Sequence, residues 1–304
     1  MYTGFFGLNS PPFSIAPNPD FLFLSGRHAE ALAHLRYGLG DAGGFVLLTG
    51  EVGTGKTTVS RALLQELDDQ TELAFILNPT LSELELLASI CDELRIRYKK
   101  SDASLKLLGD KIKNRLLKNH QQGKQTLLII DEAQHLQPAV LEQLRLLTNL
   151  ETNSRKLLQV ILIGQPELQQ LLQRTDLRQL AQRITARYHL MPLTEDEVVQ
   201  YLNYRLKVAG SERPVFEPQA IKLLYQSSQG IPRLLNLLAD RAMLAAFAGQ
   251  RPMVSKAEVR KAIAEVLPPA STTKTSWPLP VWAWWLWLLP FMVLLGYGFG
   301  RILA

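Results

Sequence analysis

Eight residues, Gly50-Glu51-Val52-Gly53-Thr54-Gly55-Lys56-Thr57, have the types and spacing to do one kind of chemistry. They fit G-x-x-x-x-G-K-[ST], a loop whose backbone N–H groups close around phosphate oxygens. In that pattern the lysine, Lys56, reaches the β- and γ-phosphates, and the hydroxyl of Thr57 holds Mg²⁺. The implied ligand is ATP, bound from Gly50 through Thr57 and on to Thr58. The plainer reading is a glycine-rich turn with a stray lysine. The flanks decide between the two. Phe45-Val46-Leu47-Leu48-Thr49 is short and apolar, as a buried parallel strand should be. From Thr58 to Leu67, Val59, Leu63, Leu64 and Leu67 recur at helical spacing. A helix N-terminus then faces the anion.

Hydrolysis also needs a carboxylate, and Thr126-Leu127-Leu128-Ile129-Ile130-Asp131-Glu132 supplies two. Four apolar residues in a row predict a buried inner strand adjoining that of the phosphate loop, with Asp131 and Glu132 at its C-terminal end, where ligands collect in open α/β sheets. Asp131 would orient Mg²⁺ and Glu132 would polarise the attacking water. The string Asp-Glu-Ala-x-His resembles nucleic-acid helicases, but the remaining length holds no second motor domain. His135 has no second histidine at metal-ligand spacing.

Three further polar positions are candidates. Gln165 follows the apolar run Leu157–Gly164 and precedes a proline, so it either touches the γ-phosphate or water, or merely ends a strand. A helix predicted over Leu168–Arg187 carries Arg174, Arg178, Arg183 and Arg187. Arg183, just before the last strand, is the best placed to act in trans on a neighbouring subunit's phosphate, with Arg178 and Arg187 as alternatives or ordinary surface arginines. In Gly230-Ile231-Pro232-Arg233, proline opens a helix and Arg233 can reach back to the phosphates or simply lie in solvent.

These groups need a scaffold, and the chain of 304 residues is long enough for one large or two modest domains. Hydrophobic residues make up 47% and charged ones 20%, which excludes a disordered chain. Residues 1–193 predict an α/β nucleotide-binding domain with a proline-rich leader and a parallel five-stranded core. A helix over Gly26–Gly40 lies over the adenine or closes one sheet edge. Further helices are predicted over residues 82–95, 103–119 and Pro138–Asn149. From Thr194 only helices follow, three or four of them, separated at Gly210, Gly230 and Gly249; residues 194–267 form an all-helical lid. Residues 268–276 are a linker by composition. From there no charged side chain occurs between Lys274 and Arg301, and all five tryptophans fall between Trp277 and Trp287. Residues 277–300 therefore predict a single transmembrane helix, with its tryptophans at the headgroups. The N-terminus lacks the basic and apolar runs of a signal peptide. The net charge of +5 permits a polyanion partner without requiring one. The lysines between Lys99 and Lys124 are either such a surface or a solvated helical face. The single cysteine, Cys91, sits among apolar residues and reads as a core thiol.

The phosphate loop, Asp131-Glu132, Gln165, Arg183 and Gly230-Ile231-Pro232-Arg233 follow in the order of AAA+ ATPases. Phe5-Phe6-Gly7-Leu8, Pro12-Phe13, Pro19-Asp20-Phe21-Leu22-Phe23-Leu24-Ser25, Asp131-Glu132-Ala133-Gln134 and Gly164-Gln165-Pro166-Glu167-Leu168 narrow this. Residues 1 to about 267 resemble the ExeA/GspA family of general secretion pathway ATPases, to which MSHA pilus-biogenesis ATPases are related. The resemblance implies a ring-like homo-oligomer hydrolysing ATP between subunits and anchored in the inner membrane, with its ATPase domain in the cytoplasm and its short C-terminus in the periplasm. It also implies a GspB/ExeB-like partner and work on a secretin or type IV pilus complex. Two departures stand out. ExeA-like proteins usually continue into a periplasmic peptidoglycan-binding domain, and Gln165 stands where most AAA+ proteins have Asn, although Gln fits the ExeA/GspA family. The competing expectation is a DNA-associated AAA+ switch of the transposition type; the membrane tail and the lack of a helix-turn-helix or zinc module speak against nucleic acid as a partner.

Overall fold

The computed structural model describes residues 2–267, apart from Pro17, residues 40–43, Asn78 and residues 151–155. The predicted linker 268–276 and membrane span 277–300 lie outside the described residues. Among the described residues, no helix is long and apolar enough to cross a membrane.

Residues 1–266 form one compact unit. Its strands are β1 (Phe45–Gly50), β2 (Thr71–Ile76), β3 (Gln125–Ile130), β4 (Gln159–Gly164) and β5 (Ile184–Leu190). Around and between them run α1 (Tyr2–Phe5), α2 (Gly26–Gly38), α3 (Lys56–Glu66), α4 (Glu83–Glu93), α5 (Leu105–Gln121), α6 (Pro138–Leu147), α7 (Pro166–Leu172) and α8 (Arg178–Ala181). Beyond the sheet come α9 (Glu195–Val208), α10 (Pro218–Ser228), α11 (Pro232–Ala248) and α12 (Lys256–Val266). The strands make one parallel sheet in the order β2-β3-β4-β1-β5. The five-stranded parallel core is thus as predicted. One detail differs: β3 does not adjoin β1, because β4 lies between them.

Strand periodicity explains why the central strands are apolar throughout. On β1, Phe45 and Leu47 face one core, with Leu128, Ile130, Val160 and Leu162. Val46 and Leu48 face the other, with Leu127, Ile129, Ile161 and Ile163. Both faces are dry, so alternation vanishes from the sequence. The first core is closed by α4, α5 and α6, the second by α2 and α3. Cys91 is buried in the first core, and burial pushes its thiol pKa up to about 11, as suits an inert core group.

The predicted helix over Leu168–Arg187 is broken. It becomes α7, a single 3-10 turn, α8, and then β5, which starts four residues before Tyr188. Ile184 and Thr185 are β-branched, and pairing with β1 outweighs the helical pattern. Arg187 consequently lies exposed on the edge strand, where its Nη2 donates to the Ala181 carbonyl at 2.7 Å.

A third core joins the leader to the four C-terminal helices. Leu8, Phe13 and Phe21 are buried with Leu193, Val198, Leu202, Leu235 and Leu238. Arg205 ties the two together. Its Nε donates to the Pro12 carbonyl at 2.5 Å and its Nη2 to the Ser14 carbonyl at 3.1 Å, while its guanidinium stacks 5.0 Å from the Phe21 ring. Two capping boxes, Ser82 with Glu85 and Thr194 with Glu197, start α4 and α9. Gly230 lets the chain return from α10, with φ +73°; a Cβ there would collide with the Leu193 carbonyl, and its own carbonyl accepts from Leu193 N at 2.9 Å.

Candidate nucleotide-binding site

β1 delivers the glycine loop to the C-terminal end of the sheet, and α3 begins at Lys56. Gly53 and Gly55 take positive φ of +82° and +105°, which side chains rarely tolerate. Lys56 is buried and its Nζ donates to the carbonyls of Gly50 at 2.8 Å and Glu51 at 3.0 Å. Burial lowers its pKa, against the pull of Glu132 and Asp131.

β3 ends two strand spacings from β1, roughly 10 Å away. The helix start bridges that gap: Thr57 Oγ1 donates to Asp131 Oδ2 at 3.2 Å. Asp131 is buried, and burial raises its pKa. A hydroxyl and a buried carboxylate side by side are hard oxygen donors of the kind that suits Mg²⁺. The donor set therefore fits the predicted cation.

Glu132 occupies the left-handed region, φ 53° and ψ 35°, unusual for a non-glycine residue. Its N–H donates to Asp131 Oδ1 at 2.9 Å. Its carboxylate accepts from Gln134 Nε2 at 2.6 Å and Gln165 Nε2 at 3.2 Å. Burial works to raise its pKa, but these two amides and the charges of Lys56 and His135 outweigh it and hold the carboxyl below its ordinary value. Glu132 is thus ionised at neutral pH.

Gln165 stands at the tip of β4, the strand between the two motif-bearing strands, and its side chain reaches Glu132. Gln134 completes the group: its Oε1 accepts from Gln165 N at 3.0 Å, and a Cβ on Gly164 would come 2.8 Å from it. The residue reading gave Gln134 no role. Its signal was a second amide two positions after the carboxylate, which means nothing until the β4 tip arrives beside it.

From the helical side, α11 starts against the loop. Arg233 N donates to the Gly53 carbonyl at 3.3 Å, and a Cβ on Gly53 would lie 2.6 Å from Arg233 Cβ. The start of α11 and the glycine loop therefore meet at Arg233. A cleft of about 510 Å³ opens beside Val52, Lys56, Thr57, Thr58, Glu132 and Arg233, and it is also walled by Ile15, Phe21, Phe23, Tyr201 and Arg205. These five residues come from the leader and α9. The apolar stripe of α2 is instead buried on the sheet through Ala31, Leu32 and Leu35, and only His28 of that helix reaches the cleft.

Arg183 is elsewhere. Phe45 N donates to its carbonyl at 3.2 Å, so it lies beside the start of β1, one strand length or roughly 16 Å from the phosphate loop. Its guanidinium donates to Asn149 Oδ1 and to the Arg145 carbonyl. It does not join the site of its own chain.

Parallel sheet, glycine loop, strand-end acid pair and the helices packed against them define an AAA+ P-loop fold, and residues 40–172 match a family model described as AAA domain. The chain is 65% identical over 248 residues to the General secretion pathway protein A of Aeromonas hydrophila, across 82% of this chain and 45% of that protein. The resemblance to ExeA/GspA-type ATPases that the motifs indicate is thus shown over most of the chain, which spans less than half the length of this relative. Among solved structures, Cdc6p from Pyrobaculum aerophilum is 21% identical with a TM-score of 0.68, covering 84% of this chain and 70% of that one. Drosophila ORC bound to DNA is 22% identical with a TM-score of 0.64, covering 85% and 65%. At such identity these likenesses speak for the fold.

Proposed function

We propose that this chain binds ATP with Mg²⁺ in the cleft between glycine loop and lid and hydrolyses it to drive assembly of an envelope secretion complex. The observation that carries the reading is that Lys56, Thr57 and Glu132, brought together from two non-adjacent strands, line that cleft, with Asp131 held against Thr57 behind them. Backbone N–H groups from Gly53 to Thr58 cradle the phosphates, and Lys56 exchanges its two carbonyl partners for phosphate oxygens. Thr57 and Asp131 hold Mg²⁺, which when bound offsets the negative charge of the β- and γ-phosphates. Glu132, ionised and steered by Gln134 and Gln165, takes up the proton of the attacking water. Gln165 also contacts the γ-phosphate side, and Arg233 reports its presence to the lid. Arg183, too far from its own loop, serves the site of a neighbouring copy, which makes the working form a homo-oligomer.

The identity to a general secretion pathway protein supports work on a secretin, or on a type IV pilus complex, with a GspB/ExeB-like partner. The apolar, tryptophan-rich residues 277–300 support a single inner-membrane anchor with the ATPase in the cytoplasm and the C-terminus in the periplasm. The test is a pair of variants in the full chain. Lys56→Ala is expected to abolish ATP binding. Glu132→Gln is expected to bind ATP as before and to lose about 100-fold or more in phosphate release, the usual worth of a general base. Normal turnover by Glu132→Gln would overturn the assignment of the base.

A second reading, DNA binding, draws support from the exposed Lys99, Lys100, Lys106, Lys113, Lys118 and Lys124 and from the fold shared with an ORC assembly bound to DNA. Asp102 and Asp110 interrupt that patch. A DNA titration at rising salt decides it: affinity that falls steeply with salt and grows with DNA length supports it, and no binding removes it.

A further inference from the structure

His28 is a buried imidazole that neither the motif nor the hydrolysis scheme uses, and its ring lies directly beneath the phosphate loop. It is 3% exposed. Its Nε2 is 3.1 Å from the Thr54 carbonyl oxygen and its Nδ1 is 2.8 Å from Ser25 Oγ. A carbonyl oxygen only accepts, so Nε2 carries the proton. Nδ1 rests against Ser25 Oγ, whose hydroxyl also hydrogen-bonds the Glu197 carboxylate. Ser25 is itself fixed, since it caps α2 by accepting from His28 N. The fit on the other side is equally close: a Cβ on Gly55 would lie 2.5 Å from Nε2.

We propose that His28 is a positioning residue for nucleotide binding, acting through the peptide that joins Thr54 to Gly55. In a trans peptide the carbonyl and the N–H point in opposite directions. Holding the Thr54 oxygen on Nε2–H aims the Gly55 N–H the other way, into the phosphate cradle. Ser25, in contact with Nδ1, holds the ring in place beneath that peptide. The absence of a side chain at Gly55 serves two ends: it allows φ +105° and it admits the ring. Without the ring, the peptide is free to rotate its N–H out of the cradle.

The inference rests on the proposed nucleotide site, and the test separates the two. A fluorescent ATP analogue is titrated into the full chain, with Lys56→Ala as the reference for lost binding. His28→Leu, which keeps volume and removes the donor, is expected to bind about tenfold more weakly or worse, as loss of one buried hydrogen bond implies. His28→Gln places an amide N–H near the position of Nε2 and is expected to recover binding to within about threefold of the parent chain. Rescue by the amide is what a role in mere packing does not give. Nitrogen NMR of the parent chain is expected to show the proton on Nε2 at neutral pH. If His28→Leu does not fold, Ser25→Ala decides, with several-fold weaker binding expected because the ring loses the contact that holds it in place. Parent-like binding by the Leu variant, no recovery in the Gln variant, or a proton on Nδ1 would overturn the proposal. A parent chain that binds no ATP at all, indistinguishable from Lys56→Ala, would instead bring down the nucleotide reading on which it rests.

Discussion

Asp131 and Glu132 are consecutive carboxylates with opposite shifts, and the difference is environmental. Asp131 is buried, with only Thr57 and one backbone N–H to satisfy it, so desolvation dominates and its pKa rises. Glu132 turns outward through a left-handed residue into two side-chain amides, and its pKa falls. Ionised Asp131 is therefore a cost to the metal-free fold at neutral pH. An acid whose folded pKa is raised destabilises the fold above that pKa and costs nothing below both values. Asp131→Asn is expected to raise the melting temperature of the nucleotide-free protein at pH 7 by about 2–4 °C, the shift that ~1 kcal/mol makes in a domain of this size. The gain should vanish near pH 3, and ATP turnover should be lost at every pH. Calorimetry at the two pH values checks it; a variant that melts lower at pH 7 sinks the account.

Among the elements, the leader matters more than its irregularity suggests. Among its described residues it holds no long helix, yet its apolar residues complete the third core and several of its residues line the cleft. Arg205 is the tie, with its hydrogen bonds to Pro12, Ser14 and the Tyr201 hydroxyl all inside the protein. Arg205→Leu keeps much of the volume but leaves those carbonyls without their donor. It is expected to destabilise the fold by about 2–4 kcal/mol and to weaken ATP binding, because Ile15 and Phe21 line the same cleft. Denaturant melts and an ATP titration measure the two effects. Loss of stability with unchanged affinity would show that the leader does not form part of the site.

Across the whole molecule, the sheet separates the acid pair from Arg183. The glycine loop, Asp131 and Glu132 lie at the C-terminal end of the strands, and Arg183 lies at the opposite end, beside Phe45. No side chain spans that distance, so a role in hydrolysis requires a second copy. Arg183→Ala alone and Glu132→Gln alone are each expected to be nearly inactive. Mixed, they should recover up to about a quarter of the parent turnover, because a site between one subunit of each kind can hold both intact residues. Phosphate release over a mixing series checks this, and no recovery at any ratio removes Arg183 from the reaction.

Much of this was legible in the chain itself. A glycine loop between an apolar run and a helix fixes its own backbone geometry, since glycines readily accept the φ values at Gly53 and Gly55. The apolar runs at 45–49, 127–130 and 160–163 announced a sheet covered on both faces. Strand order was not legible, because which strand lies between β1 and β3 depends on pairing between segments far apart in sequence. That order puts the tip of β4 between the motif-bearing strands and brings Gln165 and Gln134 onto Glu132. The place of β5, the wall formed by the leader, and the histidine under the phosphate loop were likewise decided by packing. Local sequence sets what a segment can become; long-range burial sets what it meets, and the added residues of this site are all defined by what they meet.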